Sequence, residues 1–190
     1  MRKTLREFLQ TALLSLLVFA GLQLTIQNFR VEGSSMEHTL ESGQYLLVNK
    51  LIYYRLDMEK LSRVLPFVDA ETGDSKYLFH PPQRGEVVVF RYPLDPSRDF
   101  VKRVIAVPGD SVEIRDGNLY VNAELVKEPY VGNVARSSMR RIVLAADEYF
   151  VMGDNRPHSN DSRAWGPVKI TDIIGRAWVA YWPFSDWKLF

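Results

Sequence analysis

The chain contains no cysteine. Thiol catalysis, thiolate metal sites and disulfides are therefore excluded. Histidine is scarce as well. The three present, His38, His80 and His158, stand at no ligand-type spacing, which argues against a zinc site, and no metal is expected. A dominant charge is also missing. The formal net charge is +1, with Lys and Arg scattered rather than gathered in a stripe, which is not the footprint of a nucleic-acid binder. Repeats and low-complexity tracts are absent, and nothing in the residues asks for a cofactor. At 190 residues there is room for a membrane anchor plus one compact domain.

What is present begins with residues 8–29, which carry no charge. At 1.5 Å rise per residue this run spans roughly 33 Å, close to the ~30 Å hydrocarbon core of a bilayer. Arg2, Lys3 and Arg6 precede it against Glu7, and the next fifteen residues hold Arg30 as their one Lys or Arg. The positive-inside rule then predicts residues 1–7 in the cytoplasm, 8–29 as a transmembrane anchor and 30–190 outside, in a single pass of the plasma membrane. Val18-Phe19-Ala20 has the small-residue spacing of a signal-peptide cleavage site. Leu22, Leu24 and Ile26 carry the apolar run past the point where such a leader stops, which favours a retained anchor.

Beyond Arg30 the pattern turns from helical to β. Residues 45–48 and 87–90 are short apolar runs rich in β-branched side chains, set off by Gly43 and Gly85. Residues 100–107, 149–152 and 173–182 read as further strands. Residues 112–114 and 119–121 flank Asp116-Gly117, a strong hairpin signal, and a second small hairpin is expected through Asn122-Ala123. Residues 55–65 suggest a short helix, and 69–83, ending near Pro81-Pro82, a surface loop. The expected class is mainly β: an N-terminal transmembrane helix, then an antiparallel β-rich catalytic domain with a smaller lobe at about residues 110–148. Aromatic residues crowd the end of the chain, from Trp178 to Phe190, where a terminal strand and a membrane-interface belt fit equally well.

For chemistry, the informative stretches are Gly33-Ser34-Ser35-Met36, Val101-Lys102-Arg103 and Gly153-Asp154-Asn155-Arg156. A serine hydroxyl is a poor nucleophile until something takes its proton. No histidine stands at a recognised triad spacing, though His38 lies three residues from Ser35. A lysine serves if its amine is neutral. With a reference pKa near 10.4 it is neutral in only ~0.1% of molecules at pH 7.4, so burial must lower it. Strand alternation puts Phe100, Lys102 and Val104 on one face and Val101, Arg103 and Ile105 on the other, which gives Lys102 apolar neighbours. An exposed lysine on a half-solvated strand fits the same pattern.

Together these stretches resemble the type I signal peptidases, or leader peptidases, membrane-anchored Ser/Lys proteases that remove signal peptides. The likeness runs from Gly33-Ser34-Ser35-Met36 with Thr39-Leu40, through Val48-Asn49-Lys50 and Arg84-Gly85-Glu86-Val87-Val88-Val89-Phe90. It continues through Phe100-Val101-Lys102-Arg103 with Pro108-Gly109-Asp110, to Met152-Gly153-Asp154-Asn155-Arg156 with Ser159, Asp161-Ser162-Arg163 and Trp165-Gly166. The resemblance implies Ser35 as nucleophile, Lys102 as general base and Ser159 as the hydroxyl holding the lysine amine. Backbone groups at Ser35 and Gly33 become the oxyanion donors, and Arg103, Asp154, Asp161 and Arg163 a structural ionic network. It implies shallow apolar subsites for small side chains, with Phe29, Val31, Met36, Leu40, Phe100 and Val101 as candidates, each of which also fits plain core packing. The partners it implies are signal-peptide-bearing preproteins, the lipid bilayer and the export translocon.

The sequence departs from the family pattern at three places. Gly33 stands where many relatives carry a hydroxyl that completes the oxyanion hole. His38 replaces a usual proline, which keeps a histidine-assisted variant open, and Pro157-His158 replaces an acidic and amide pair. None removes a catalytic group. A self-cleaving repressor or organelle processing peptidase shares the chemistry, and a catalytically silent, tethered preprotein-binding domain remains the reading of another class.

Overall fold

The computed structural model describes residues 2–64, 75–133 and 135–190. A long helix, α1 (Arg2–Thr25), leads directly into β1 (Ile26–Arg30) and, after a loop, β2 (Tyr45–Asn49). A short excursion follows through β3 (Arg55–Asp57), α2 (Met58–Val64) and β4 (Ser75–Tyr77). The centre of the chain forms β5 (Val87–Tyr92), β6 (Asp95–Ala106), β7 (Ser111–Arg115), β8 (Asn118–Val121), β9 (Glu124–Leu125), β10 (Met139–Val143) and β11 (Glu148–Met152). α3 (Ser162–Trp165), β12 (Val168–Lys169), β13 (Ile173–Trp182) and β14 (Lys188–Leu189) complete it.

The main sheet has eight strands in the order β1-β2-β13-β5-β6-β11-β12, with β14 beside β13. Every pairing within it is antiparallel. Its centre is covered on both faces, which explains why residues 87–90 are apolar without interruption. Val87 and Val89 pack with Val31, Met36, Leu40 and Leu46 on one side, while Val88 and Phe90 pack with Tyr53, Val104 and Val151 on the other. A four-stranded sheet, β10-β7-β8-β9, carries its own core around Val112, Ile114, Leu119 and Val121. Its tight turns use left-handed backbone: Asp116 and Gly117, which adopt it readily, have φ of 49° and 86°, and Asn122 and Ala123 have 54° and 68°, a conformation alanine seldom takes.

Three local expectations change. The apolar run expected to be helical to Phe29 leaves the helix at Thr25, because residues 26–30 pair along their whole length with β2 and seat Phe29 against the core. The helix expected over 55–65 begins only at Met58, since Arg55–Asp57 pair with Ser75–Tyr77. Of the loop expected over 69–83, residues 69–74 lie outside the described residues, as does Leu65. α1 is long and apolar enough over Lys3–Thr25 to cross a membrane, and its most apolar stretch buries nothing against the rest of the protein. At the other end, Trp178 and Trp182 lie in β13 with their side chains exposed, as are Phe184 and Trp187 beyond it.

Candidate active site

Ser35 sits in the loop between β1 and β2. The loop's neck is tied by Val31 N–H to the Gln44 carbonyl and Gly43 N–H to the Val31 carbonyl, both at 2.8 Å. Gly33 turns the chain at φ +84°, a conformation glycine adopts without steric cost. After the serine, Met36 and Leu40 plunge into the core at 1% and 0% exposure, and the Met36 carbonyl accepts from Thr39 and Leu40 N–H at 2.7 and 2.8 Å. These two residues are therefore pins that fix the loop. They do not line the groove, contrary to the subsite role expected for them.

The segment after β11 closes on this loop from the side. Asn155 N–H donates to the Ser35 carbonyl at 3.0 Å, and its side-chain amide to the Ser34 carbonyl at 3.0 Å. Gly153 is needed for this approach. A Cβ built there would lie 2.4 Å from the Ser35 carbonyl oxygen and 2.3 Å from Ser159 Oγ.

β6 brings Lys102 to the same point. Its Nζ is 2.7 Å from Ser35 Oγ and 2.9 Å from the Val101 carbonyl, and stands over the Phe100 ring at 5.3 Å. The residue is only 4% exposed. Burial lowers its pKa to about 8, against the opposing pull of the Asp161 and Asp154 carboxylates. At pH 7.4 a pKa of about 8 leaves roughly a fifth of the amines neutral, against ~0.1% for a free lysine.

The surrounding charges are paired. Arg103 grips Asp154 through Nε and Nη2 at 2.9 and 2.6 Å and reaches the Gly85 carbonyl at 2.7 Å. Asp161 caps α3 and takes Arg163 through Nε and Nη2 at 2.7 and 2.8 Å. Arg163 also holds the Arg156 carbonyl at 2.7 Å. Arg103–Asp154 and Asp161–Arg163 thus make two ion pairs beside the loop that carries Ser35.

Two expected contacts are not made here. Ser159 Oγ is buried but has no hydrogen-bond partner among the described residues, and Lys102 Nζ is engaged by Ser35 and the Val101 carbonyl instead. Gly33 N–H donates to Ser42 Oγ at 3.3 Å, so it is not free for an oxyanion. The Ser35 N–H, by contrast, has no acceptor among the described residues.

A groove of about 580 Å³ opens over Ser35 and Lys102. Phe29, Val31, Phe100 and Val101 line it as expected, and Leu46 and Val89 join them unforeseen. Glu32, Arg98, Asp99, His158 and Asn160 supply a polar rim. No histidine bonds Ser35. His38 is exposed and backs onto Gly132, and His80 lies 4.0 Å from Glu86.

A buried lysine amine on a serine hydroxyl, beside a groove, is a peptidase-like arrangement, and comparison with known proteins decides the family. Residues 4–182 match the family of signal peptidases, peptidase S26. The chain belongs to that family. It is a serine peptidase, a hydrolase. The signal peptidase I of Pseudomonas aeruginosa is 34% identical over 204 residues, covering 86% of this chain and 67% of the relative. The probable signal peptidase I-1 of Synechocystis is 32% identical, with 95% and 86% covered, and signal peptidase IB of Staphylococcus aureus 30%, with 99% and 95%.

Proposed function

We propose that the chain is a membrane-anchored serine endopeptidase that removes N-terminal signal peptides from exported preproteins by a Ser/Lys mechanism. The observation that carries this reading is the 2.7 Å contact between Lys102 Nζ and Ser35 Oγ. The neutral amine takes the hydroxyl proton as Oγ attacks the scissile carbonyl carbon. The oxyanion is met by the Ser35 N–H, a kind of donor worth about 3 kcal/mol in other serine proteases. Collapse transfers the proton from the Lys102 ammonium to the leaving amine and leaves an acyl-enzyme on Ser35. A water then attacks that ester, with Lys102 again accepting the proton, and the signal peptide departs with a new carboxylate. Ser159 serves as the hydroxyl that steadies the lysine once a substrate displaces the resting contacts.

The apolar walls at Phe29, Val31, Phe100 and Val101 support a preference for small side chains one and three residues before the cut, an Ala-x-Ala-like site. Residues 1–7 lie in the cytoplasm, the apolar helix spans the plasma membrane and residues 30–190 face outward, beside the translocon from which preproteins emerge. Ser35 follows Thr25, the last residue of the apolar helix, by ten residues, at most ~35 Å of extended chain, which bounds how far the nucleophile stands from the bilayer surface where a signal peptide's cleavage site emerges.

The test is cleavage of a purified preprotein in detergent micelles by wild type, Lys102→Ala and His38→Ala, with products mapped by mass spectrometry. A dead Lys102→Ala, an active His38→Ala and a cut after an Ala-x-Ala-like site are expected. Loss in His38→Ala alone moves the base to histidine, and an inert wild type that still binds preprotein turns the chain into a tethered binding domain.

A further inference from the structure

The segment after β9 leaves the small sheet and touches each of the three stretches that carry a catalytic candidate. Glu128 holds Arg156 in a two-pronged ion pair, Nη1 on Oε2 at 2.8 Å with Nη2 on Oε1, and the two side chains are 11% and 5% exposed. Arg156 stands three residues before Ser159, and its Nε donates to the Gly153 carbonyl at 3.0 Å. The Tyr130 hydroxyl donates to Glu128 Oε1 at 3.1 Å, and its ring faces the Arg103 guanidinium 4.1 Å from the centroid. Arg103 is the residue after Lys102. Gly132 backs onto His38, three residues past Ser35. A Cβ at Gly132 would come 2.8 Å from His38 Cδ2 and 3.0 Å from Nε2. None of Glu128, Tyr130 and Gly132 lines the groove.

The geometry points to a strap: residues 128–132 hold the Ser35, Lys102 and Ser159 stretches in mutual register from outside the groove, with Glu128 and Tyr130 as positioning residues. This rests on the Ser/Lys reading above. The physical basis is charge compensation. Without Glu128 the Arg156 guanidinium is a buried charge lacking its carboxylate, and the loop it braces through the Gly153 carbonyl must shift. Tyr130 covers Arg103 by a cation–π contact that keeps water from the Arg103–Asp154 pair. The charges acting on Lys102 are Asp161 and Asp154, tied respectively to Arg163 and Arg103. Water admitted where the Tyr130 ring lay loosens the Arg103–Asp154 pair that ties β6 to the segment seating Ser35.

The experiment uses the full chain in detergent micelles. It records preprotein cleavage from pH 6 to about 10, across the range in which a lysine amine titrates, with thermal unfolding in parallel. Tyr130→Leu and Glu128→Gln are expected to lower kcat about tenfold with KM changed less than about twofold, as misplacement of reacting groups does. Tyr130→Phe, which keeps the ring, restores kcat. Variants that lower only the unfolding temperature, with kcat as in wild type, overturn the proposal, as does failure of Tyr130→Phe to restore it. Should Tyr130→Leu not fold, Glu128→Gln decides by the same criterion. If wild type itself cleaves nothing, the Ser/Lys reading falls first. The strap is then judged from the rate of Lys102 acetylation by acetic anhydride in wild type and Tyr130→Leu, where equal rates overturn it.

Discussion

Arg103 and Asp154 meet edge to edge, two hydrogen bonds joining the strand position after Lys102 to the segment that seats Ser35. Asp154 is fully buried and Arg103 nearly so. Asp154→Asn leaves the guanidinium without its charge partner, and breaking a buried pair from one side costs about 3–5 kcal/mol. Urea denaturation of the full chain in micelles is expected to show that loss. Because Asp154 pulls the Lys102 pKa upward, the same variant is expected to move the acid limb of its residual activity to lower pH. An unchanged limb rules out that electrostatic link.

On the proposed Ser/Lys mechanism, turnover follows the neutral amine. The charged form of Lys102 cannot accept the Ser35 proton, so kcat/KM is expected to rise with pH through about 8. A limb near 6.5 signals histidine instead, and one near 10.4 an unperturbed lysine, the reference values for those groups.

Lys102 also burdens the fold. Its pKa is about 8 folded and 10.5 as a free side chain, so below pH 8 the native state must hold a charge that burial disfavours. Between those values the unfolded chain binds the proton and the folded one does not, so stability rises with pH there. Lys102→Met removes the burden: inactive, yet more stable than wild type at pH 7 by up to about 3 kcal/mol. The difference shrinks as pH climbs toward 10.5. A less stable Lys102→Met at pH 7 means that the bonds to Ser35 and Val101 outweigh desolvation.

At Gly153 a single methyl group tests the seating of the nucleophile. The built Cβ lies 2.4 Å from backbone oxygen of Ser35, which cannot swing aside as a side chain does. Gly153→Ala is expected to reduce kcat about a hundredfold, the scale of a 1 Å displacement of reacting groups. Serine labelling with a reactive phosphonate, slowed in parallel, separates this from lost substrate binding.

Much of this was legible in the residues. Asp116, Gly117 and Asn122 announce their turns because few residue types accept left-handed backbone readily, whereas Ala123 gives no such signal. Residues 87–90 and 173–182 announce strands by β-branched content. The end of α1 was not legible, since Ile26 and Phe29 suit lipid and sheet alike and only pairing with β2 decides. Met36 and Leu40 look the same whether they line a groove or pin a loop from beneath. Glu128 and Tyr130 carry no local signal, because their partners Arg156 and Arg103 are reached only through tertiary folding.

The junction of α1 and β1 has a mechanical consequence. No residue separates Thr25 from Ile26, and the helix's last carbonyls are taken by a distant residue, Lys50, whose N–H reaches Thr25 at 2.8 Å and whose Nζ reaches Gln23 at 3.4 Å. The seam is a weld, not a hinge. On the reading proposed above, with α1 in a bilayer, these bonds would hold Ser35 at a set altitude, and the cut would be chosen by a fixed ruler from the membrane as well as by the shape of the groove.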